Sequence, residues 1–312
     1  MKAEVVLDLQ FGSTGKGLIC AMLGETGRFD AAVCAWGPNS GHTAYSGEHR
    51  AVHTMLPISG IARGGPTRLF LAPGALVDIE GVKKDAQSLC AARPDAQFKV
   101  YIHEHAAWVT PECASDEKQY AFKVGSTQKG TGEALMRKLK RDGTSAVMAA
   151  AGDVFADTSD QIDIQIVSAG HWENLLNISK HILVEGAQGF SLGLNSGFYP
   201  YCTTRECSLA QLLSDCLIPP SKVERVWGVA RTFPIRVANR YDADGNQIGT
   251  SGPCYEDQRE LTWEDVGMPA ELTTVTQLPR RVFSFSMNQI TSAIRRNDVT
   301  DLVMNFCNYF DA

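Results

Sequence analysis

The sequence has no excess of positive charge, no Cys-x-x-Cys pair and no linker rich in proline and serine. Nor does any apolar run approach the ~20 residues that span a bilayer. A formal net charge of −6 argues against non-specific binding to nucleic acid or to acidic membranes. Any phosphate ligand must therefore be held by local geometry. The nine cysteines are odd in number and scattered, and Cys202 with Cys207 lacks a matching second pair for zinc. Such usage implies reduced thiols in the cytoplasm. The first residues run into Val5-Val6-Leu7 without the pattern of a signal peptide. A soluble protein with neither nucleic acid nor membrane as partner is expected.

What is present is a succession of short apolar runs bounded by glycine and polar residues. They are Val5 to Leu9, Ala31 to Ala35, Leu69 to Ala72, Val100 to Ile102, Val147 to Ala150, Ile182 to Val184, Val226 to Ala230 and Leu302 to Phe306. Short runs without alternation suit strands buried on both faces. Helical stretches intervene at Ile79 to Cys90, Gly132 to Arg141, Leu209 to Cys216 and Met287 to Arg296. The succession predicts an α/β protein with a mostly parallel central sheet flanked by helices. One domain over residues 1–312 is expected, with a polar loop or hairpin over 242–267.

Five segments carry the chemistry. The first strand enters Gly12-Ser13-Thr14-Gly15-Lys16-Gly17, and Leu18 to Leu23 continues as a helix. Glycines let backbone N–H groups crowd an anion, the helix N-terminus adds partial positive charge, and Lys16 adds a point charge. Only two residues separate Gly12 from Gly15-Lys16, and Gly17 stands where the common phosphate loop has its magnesium-binding hydroxyl. Asn39-Ser40-Gly41-His42-Thr43 follows the second run, where open α/β sheets bind ligands. Glu185-Gly186-Ala187-Gln188-Gly189 presents an amide between glycines, suited to a planar base. Gly125-Ser126-Thr127-Gln128-Lys129-Gly130 could cradle a monophosphate. Thr273-Thr274-Val275-Thr276 with Arg280-Arg281 suits a small dicarboxylate, since arginine grips carboxylates bidentately. Taken singly, most such loops are ordinary. His103 and His105 alternate on one strand, but no third ligand is evident and a metal site there is not expected.

Together with Tyr199-Pro200-Tyr201-Cys202-Thr203, these segments occur in the order found in adenylosuccinate synthetases, which the chain resembles from Val5 to about Asn308. The resemblance implies a P-loop NTPase-like fold and a magnesium-dependent ligase. Such an enzyme phosphorylates the 6-oxygen of a purine monophosphate and then joins L-aspartate to carbon 6. It places His42 on the general acid, Lys16 on the phosphate-binding lysine and Gly41 on a glycine whose carbonyl meets magnesium. The nucleoside triphosphate would meet Gly12 to Gly17, Gly41 to Thr43, Asn305 and Asn308. Asn39, Ser126, Thr127, Gln188 and Thr203 match residues around the monophosphate and base. Thr273 to Thr276, Arg280 and Arg281 match the aspartate loop. Arg141 matches an arginine that reaches into the partner subunit's site, which implies a homodimer.

Two departures redirect the expected substrates. The family's turn reads Gly-Asp-Glu-Gly-Lys-Gly, and its aspartate, which takes the N1 proton and meets magnesium, is Ser13 here. Serine is smaller and uncharged, and leaves room for a 2-amino group beside N1. A serine turn resembles the phage aminoadenylosuccinate synthetases, which act on dGMP toward 2-aminoadenine for modified DNA. Secondly, the family's guanine-binding Thr-Lys-Leu-Asp corresponds to Asn305-Phe306-Cys307-Asn308. An amide at 308 both donates and accepts, which suits adenine, so ATP or dATP is the expected phosphate donor. An ordinary synthetase acting on IMP is the alternative, and a non-catalytic purine-nucleotide sensor the second.

Overall fold

The computed structural model describes residues 1–120, 127–141, 143, 145, 146, 155, 159–242, 244, 246–273 and 277–310. Of the expected features, the run Val147 to Ala150 and the residues Ser126, Thr274, Val275 and Thr276 lie outside them.

Seven of the eight apolar runs are strands of one sheet, and an eighth strand, Ile162–Val167, completes it. The spatial order is Asp301–Asn305, Val223–Arg231, Lys2–Asp8, His181–Glu185, Ala31–Cys34, Arg68–Leu71, Phe98–His103 and Ile162–Val167. Every neighbouring pair is parallel, as expected. The central strands are buried on both faces: Ala31–Cys34 and the body of Lys2–Asp8 expose almost nothing. One face packs Ile19, Leu23 and Leu89 from the helices Lys16–Glu25 and Ile79–Ala92. The other packs Trp172, Leu176 and Leu213 from Ala169–Ile178 and Leu209–Cys216. Burying a leucine or tryptophan side chain this completely stabilises by about 1.5–3 kcal/mol each before entropy is subtracted.

The strand order sets the position of the site. From the first strand the chain steps outward through Ala31–Cys34, Arg68–Leu71, Phe98–His103 and Ile162–Val167. It then returns to insert His181–Glu185 beside the first strand, and Val223–Arg231 goes to the opposite side. The C-terminal ends of four adjacent strands thus open onto one crevice, where open parallel sheets bind ligands. A β-hairpin, His42–Ser46 with His49–His53, folds over the helix Lys16–Glu25. Arg240–Tyr241 pairs antiparallel with Gln247–Gly249. Glu260–Leu261 joins a small antiparallel sheet with Arg281–Phe283 and Ile235–Arg236. Among the described residues no helix is long and apolar enough to cross a membrane.

Candidate active site

The glycine turn leaves the first strand at Asp8 and enters the helix at Lys16. Gly12 and Gly15 both have φ 87°, and Ser13 is held left-handed at φ 55°. Gly17 explains why the turn lacks the usual hydroxyl residue after its lysine. A Cβ there would stand 2.5 Å from the carbonyl oxygen and 2.9 Å from the nitrogen of Thr43, so the start of the His42–Ser46 strand packs directly on the helix N-terminus. This contact brings His42 beside Lys16. Ser13 is exposed at the tip of the turn, whereas Thr14 is fully buried. Its hydroxyl is committed to Asp8, at 2.6 Å, rather than offered to the cleft.

Lys16 is buried and donates to the Gln188 carbonyl at 2.8 Å and to Asp8 at 3.0 Å. Gln188, left-handed at φ 59°, donates its amide to the Ser40 hydroxyl at 2.7 Å. The glycine turn, Asn39-Ser40-Gly41 and the Gln188 turn, far apart in sequence, therefore share one wall of the crevice. Asn39, Ser40, Gln188, Thr203 and Arg205 line a cleft beside it.

His42 is buried, and its ring stacks on Trp36 with centroids 4.0 Å apart and planes 13° from parallel. Burial, then the Lys16 ammonium and His53, hold its pKa well below 6.5, so the imidazole is neutral at pH 7. Its Nε2 has no hydrogen-bond partner within the protein. A buried polar atom left unpartnered in a cleft is a place for a ligand atom. Glu185, fully buried, accepts from the N–H groups of Ile58 at 2.9 Å and Ser59 at 3.0 Å. Burial raises its pKa to about 7. It lines the cleft and braces the 58–61 turn.

The remaining candidates divide. Asn305 donates its amide to the Thr14 carbonyl at 2.8 Å, while Asn308 is exposed on the short helix Cys307–Phe310. Four of the five N–H donors of Arg281 are occupied: it forks onto Glu260 at 2.6 and 2.7 Å and donates to Ser251 and to the Gly252 carbonyl. Arg280 donates side-chain Nε to the Leu272 carbonyl at 3.3 Å. Thr273 is buried and accepts from Leu278 N–H within its own loop. Thr127 precedes the helix Thr131–Lys140 and Arg141 caps its end at φ 58°; both are exposed, and neither lines the cleft. His103 is buried with its ring edge-on to Trp172, and its Nδ1 accepts from the His105 N–H at 2.9 Å. No group of three or more metal-ligating side chains occurs among the described residues.

Four contributors were not singled out from sequence: Asp8, Trp36, Arg205 and Arg231. Asp8 and Arg231 each end a buried apolar strand, and a charge at that place is a legible signal. Trp36 and Arg205 offer none: Arg205 meets Ala35 from a distant segment, and the stacking of Trp36 on His42 depends on how the loop between them folds.

Comparison with known proteins gives the family. The sequence profile of the adenylosuccinate synthetase family matches residues 5–165 and 153–312. N6-succino-2-amino-2'-deoxyadenylate synthases of Salmonella phage PMBT28 and Acinetobacter phage SH-Ab 15497 are each 41% identical. They match over 99% of this chain and over 86% and 84% of their own lengths. The structure of cyanophage S-2L succinoaminodeoxyadenylate synthetase bound to dGMP and dATP superposes with a TM-score of 0.87 at 34% identity. That match covers 99% of this chain and 85% of the other. The adenylosuccinate synthetase of Parabacteroides distasonis is 26% identical over 97% of this chain and 77% of its own. The chain belongs to the adenylosuccinate synthetase family, on the side of its phage N6-succino-2-amino-2'-deoxyadenylate synthases.

Proposed function

We propose that the protein is a ligase that uses ATP or dATP to join L-aspartate to carbon 6 of dGMP, giving N6-succino-2-amino-2'-deoxyadenylate for 2-aminoadenine DNA. The observation that carries this reading is that one glycine turn holds an uncharged, exposed Ser13 and, three residues on, the Lys16 whose ammonium acts on a buried, neutral His42. Ser13 leaves room for a 2-amino group beside N1. His42 presents an unpartnered nitrogen where a 6-oxygen would gain charge. The dGMP and dATP named for the cyanophage structure support the nucleotide pair, deoxyribose included.

The reaction has two displacements. The 6-oxygen of dGMP attacks the γ-phosphorus as the N1 proton passes to water beside the exposed Ser13, and the nucleoside diphosphate leaves. The amino group of aspartate then adds at carbon 6, loses a proton, and inorganic phosphate departs. Neutral His42 donates its Nε2–H to the 6-oxygen, a fixed dipole aimed at developing charge. Lys16 and the N–H groups of residues 12–17 receive the transferring phosphoryl oxygens. Gln188 faces the base, and Asn39, Thr203 and Thr127, with Ser126, receive the monophosphate; Arg141 adds a guanidinium from the partner subunit of a homodimer. Because Arg281 is committed to Glu260, Arg280 binds the substrate carboxylate, with Thr273 to Thr276 around it. Because the Asn305 amide is committed to Thr14, Asn308 reads the donor base.

Magnesium fits the available donors. The Asp8 carboxylate is fully engaged, which leaves the Ser13 hydroxyl and the Gly41 carbonyl, hard oxygens suited to an ion that keeps its waters and phosphates. When bound it would neutralise charge on the triphosphate. The fold and charge suit a cytoplasmic enzyme.

The test is an assay of aspartate-dependent phosphate release that crosses dGMP, GMP and IMP with ATP, dATP and GTP. Highest kcat/KM with dGMP and an adenine donor is expected. Preferred use of IMP, or nucleotide binding without aspartate-dependent release, would overturn the reading.

A further inference from the structure

Asp8 sits at the end of the first strand, directly beneath the glycine turn, with its side chain wholly shielded from solvent. Four donors converge on it. Oδ1 accepts from the N–H groups of Gln10 at 2.8 Å and Gly12 at 3.2 Å. Oδ2 accepts from the Thr14 hydroxyl at 2.6 Å and from Lys16 Nζ at 3.0 Å. An ionised carboxylate offers about four lone-pair sites, and here all are filled. Asp8 therefore has nothing left with which to take a proton from a base or to ligate a metal, although it is the carboxylate bonded to the turn that has lost one at position 13.

Its consequence falls on Lys16. Two of the three ammonium N–H groups are fixed, one on Asp8 and one on the Gln188 carbonyl, so the third has a defined direction. The pair is also electrically balanced: a 6% exposed ammonium lies against a fully buried carboxylate. Lys16 thus meets an incoming phosphoryl group as an aimed hydrogen-bond donor with its charge already compensated. The same carboxylate fixes Gly12 and Thr14 on either side of Ser13.

We propose that Asp8 is a positioning residue for phosphoryl transfer, which aims the Lys16 ammonium and holds the turn around Ser13. This rests on the ligase reading above. Aspartate-dependent phosphate release by the unmodified protein checks that reading separately: without it the ligase assignment fails, whatever Asp8 does.

The experiment is a double-mutant cycle of Asp8→Asn and Lys16→Met, with kcat, donor KM and dGMP affinity measured for each protein. In Asp8→Asn the side-chain oxygen still accepts from Gln10 and Gly12, but the new amide N–H group then faces the ammonium, donor against donor. Lys16→Met is expected to lower kcat by about 100-fold, as for losing one oriented donor, and Asp8→Asn, which misaims that donor without removing it, by at least about 30-fold. Donor KM in Asp8→Asn stays level or falls, because the ammonium is no longer compensated. Adding Asp8→Asn to Lys16→Met costs less than about 3-fold more, the non-additivity of groups that act as a unit. Multiplicative losses, or an Asp8→Asn protein with unaltered kcat, would overturn the proposal. If Asp8→Asn does not fold, Asp8→Ser carries the same cycle, and failure of both to fold would make Asp8 a requirement of the fold and sink the positioning role.

Discussion

Arg231, fully buried, donates a 3.0 Å hydrogen bond to the carbonyl oxygen of Ser13. The same guanidinium pairs with Glu271 and lies 4.0 Å from the centroid of the Phe306 ring. Glu271 in turn accepts from the Tyr309 hydroxyl at 2.8 Å, and its backbone carbonyl accepts from Arg280 N–H at 2.8 Å. One side chain at a strand end thus ties the turn to the 305–309 segment and to the Arg280 loop.

Arg231→Gln should therefore act on both stability and catalysis. It leaves Glu271 without its cation and frees the left-handed Ser13. Breaking such a buried pair is expected to cost about 2–4 kcal/mol in denaturant unfolding, toward the lower end because Glu271 is partly exposed. Arg231→Lys keeps the charge but not the fork, and should lose about half as much. Equal stability of all three proteins would show that the network contributes little.

Ser13→Asp tests the origin of guanylate use. Aspartate tolerates the left-handed backbone at this position, so the change lies in the side chain. The longer carboxylate occupies the space assigned to the 2-amino group. The ratio of kcat/KM for dGMP to that for IMP should fall by about 100-fold, within the range for a site that rejects a misfitting group. An unchanged ratio removes the steric argument.

Most of the sheet was legible because strands buried on both faces leave uninterrupted apolar runs. Ile162–Val167 was not, since it lies at the sheet edge and alternates with exposed Asp163 and Gln165. The helices Pro111–Tyr120 and Ala169–Ile178 were missed as well; the first has a low mean hydrophobic content and offers little periodic signal. Within the site, glycines and hydroxyls stood out because their types are unusual at that spacing. Commitments between side chains did not. That Arg281 belongs to Glu260 and the Thr14 hydroxyl to Asp8 depends on where separate segments meet, which residue type alone does not encode. The phosphate-cradle reading of 125–130 and the threonines 274–276 rest on the sequence alone.

Acid should destabilise the protein through its buried histidines. His103 is lowered to about 4 by burial, with His105 adding to the effect, against an ordinary value of 6.5. Between those values the unfolded chain binds a proton that the folded one refuses, so stability falls as pH falls from 6.5 toward 4. His42 and His53 shift in the same direction. Glu185 opposes them. Its carboxyl is raised to about 7, so its contribution is complete below 4.5 and is lost as pH rises through 7. His103→Asn removes one acid-side component. Relative to the unmodified protein it should gain about 2–3 kcal/mol between pH 6.5 and 4.5, measured by urea unfolding. Parallel stability profiles would show that His103 is protonated alike in both states.

Arg141 gives the proposed homodimer a test that does not depend on measuring mass. It follows the helix Thr131–Lys140, whose Met136 and Leu139 are 43% and 68% exposed, an apolar surface beside a cation. If the guanidinium serves the partner's monophosphate, Arg141→Ala and His42→Asn damage different parts of the same composite site. Each alone should lose about 100-fold or more in kcat/KM, as for removal of one charged or polar contact to the reacting nucleotide. Mixed and allowed to exchange, half the dimers become heterodimers. In each of these one site joins an intact His42 from one chain to an intact Arg141 from the other, so about a quarter of full activity returns. If mixing restores nothing while chromatography shows that subunits exchange, Arg141 acts within its own chain or not at all. Loss confined to dGMP KM in the Arg141→Ala protein would tie the residue to the monophosphate rather than to the donor.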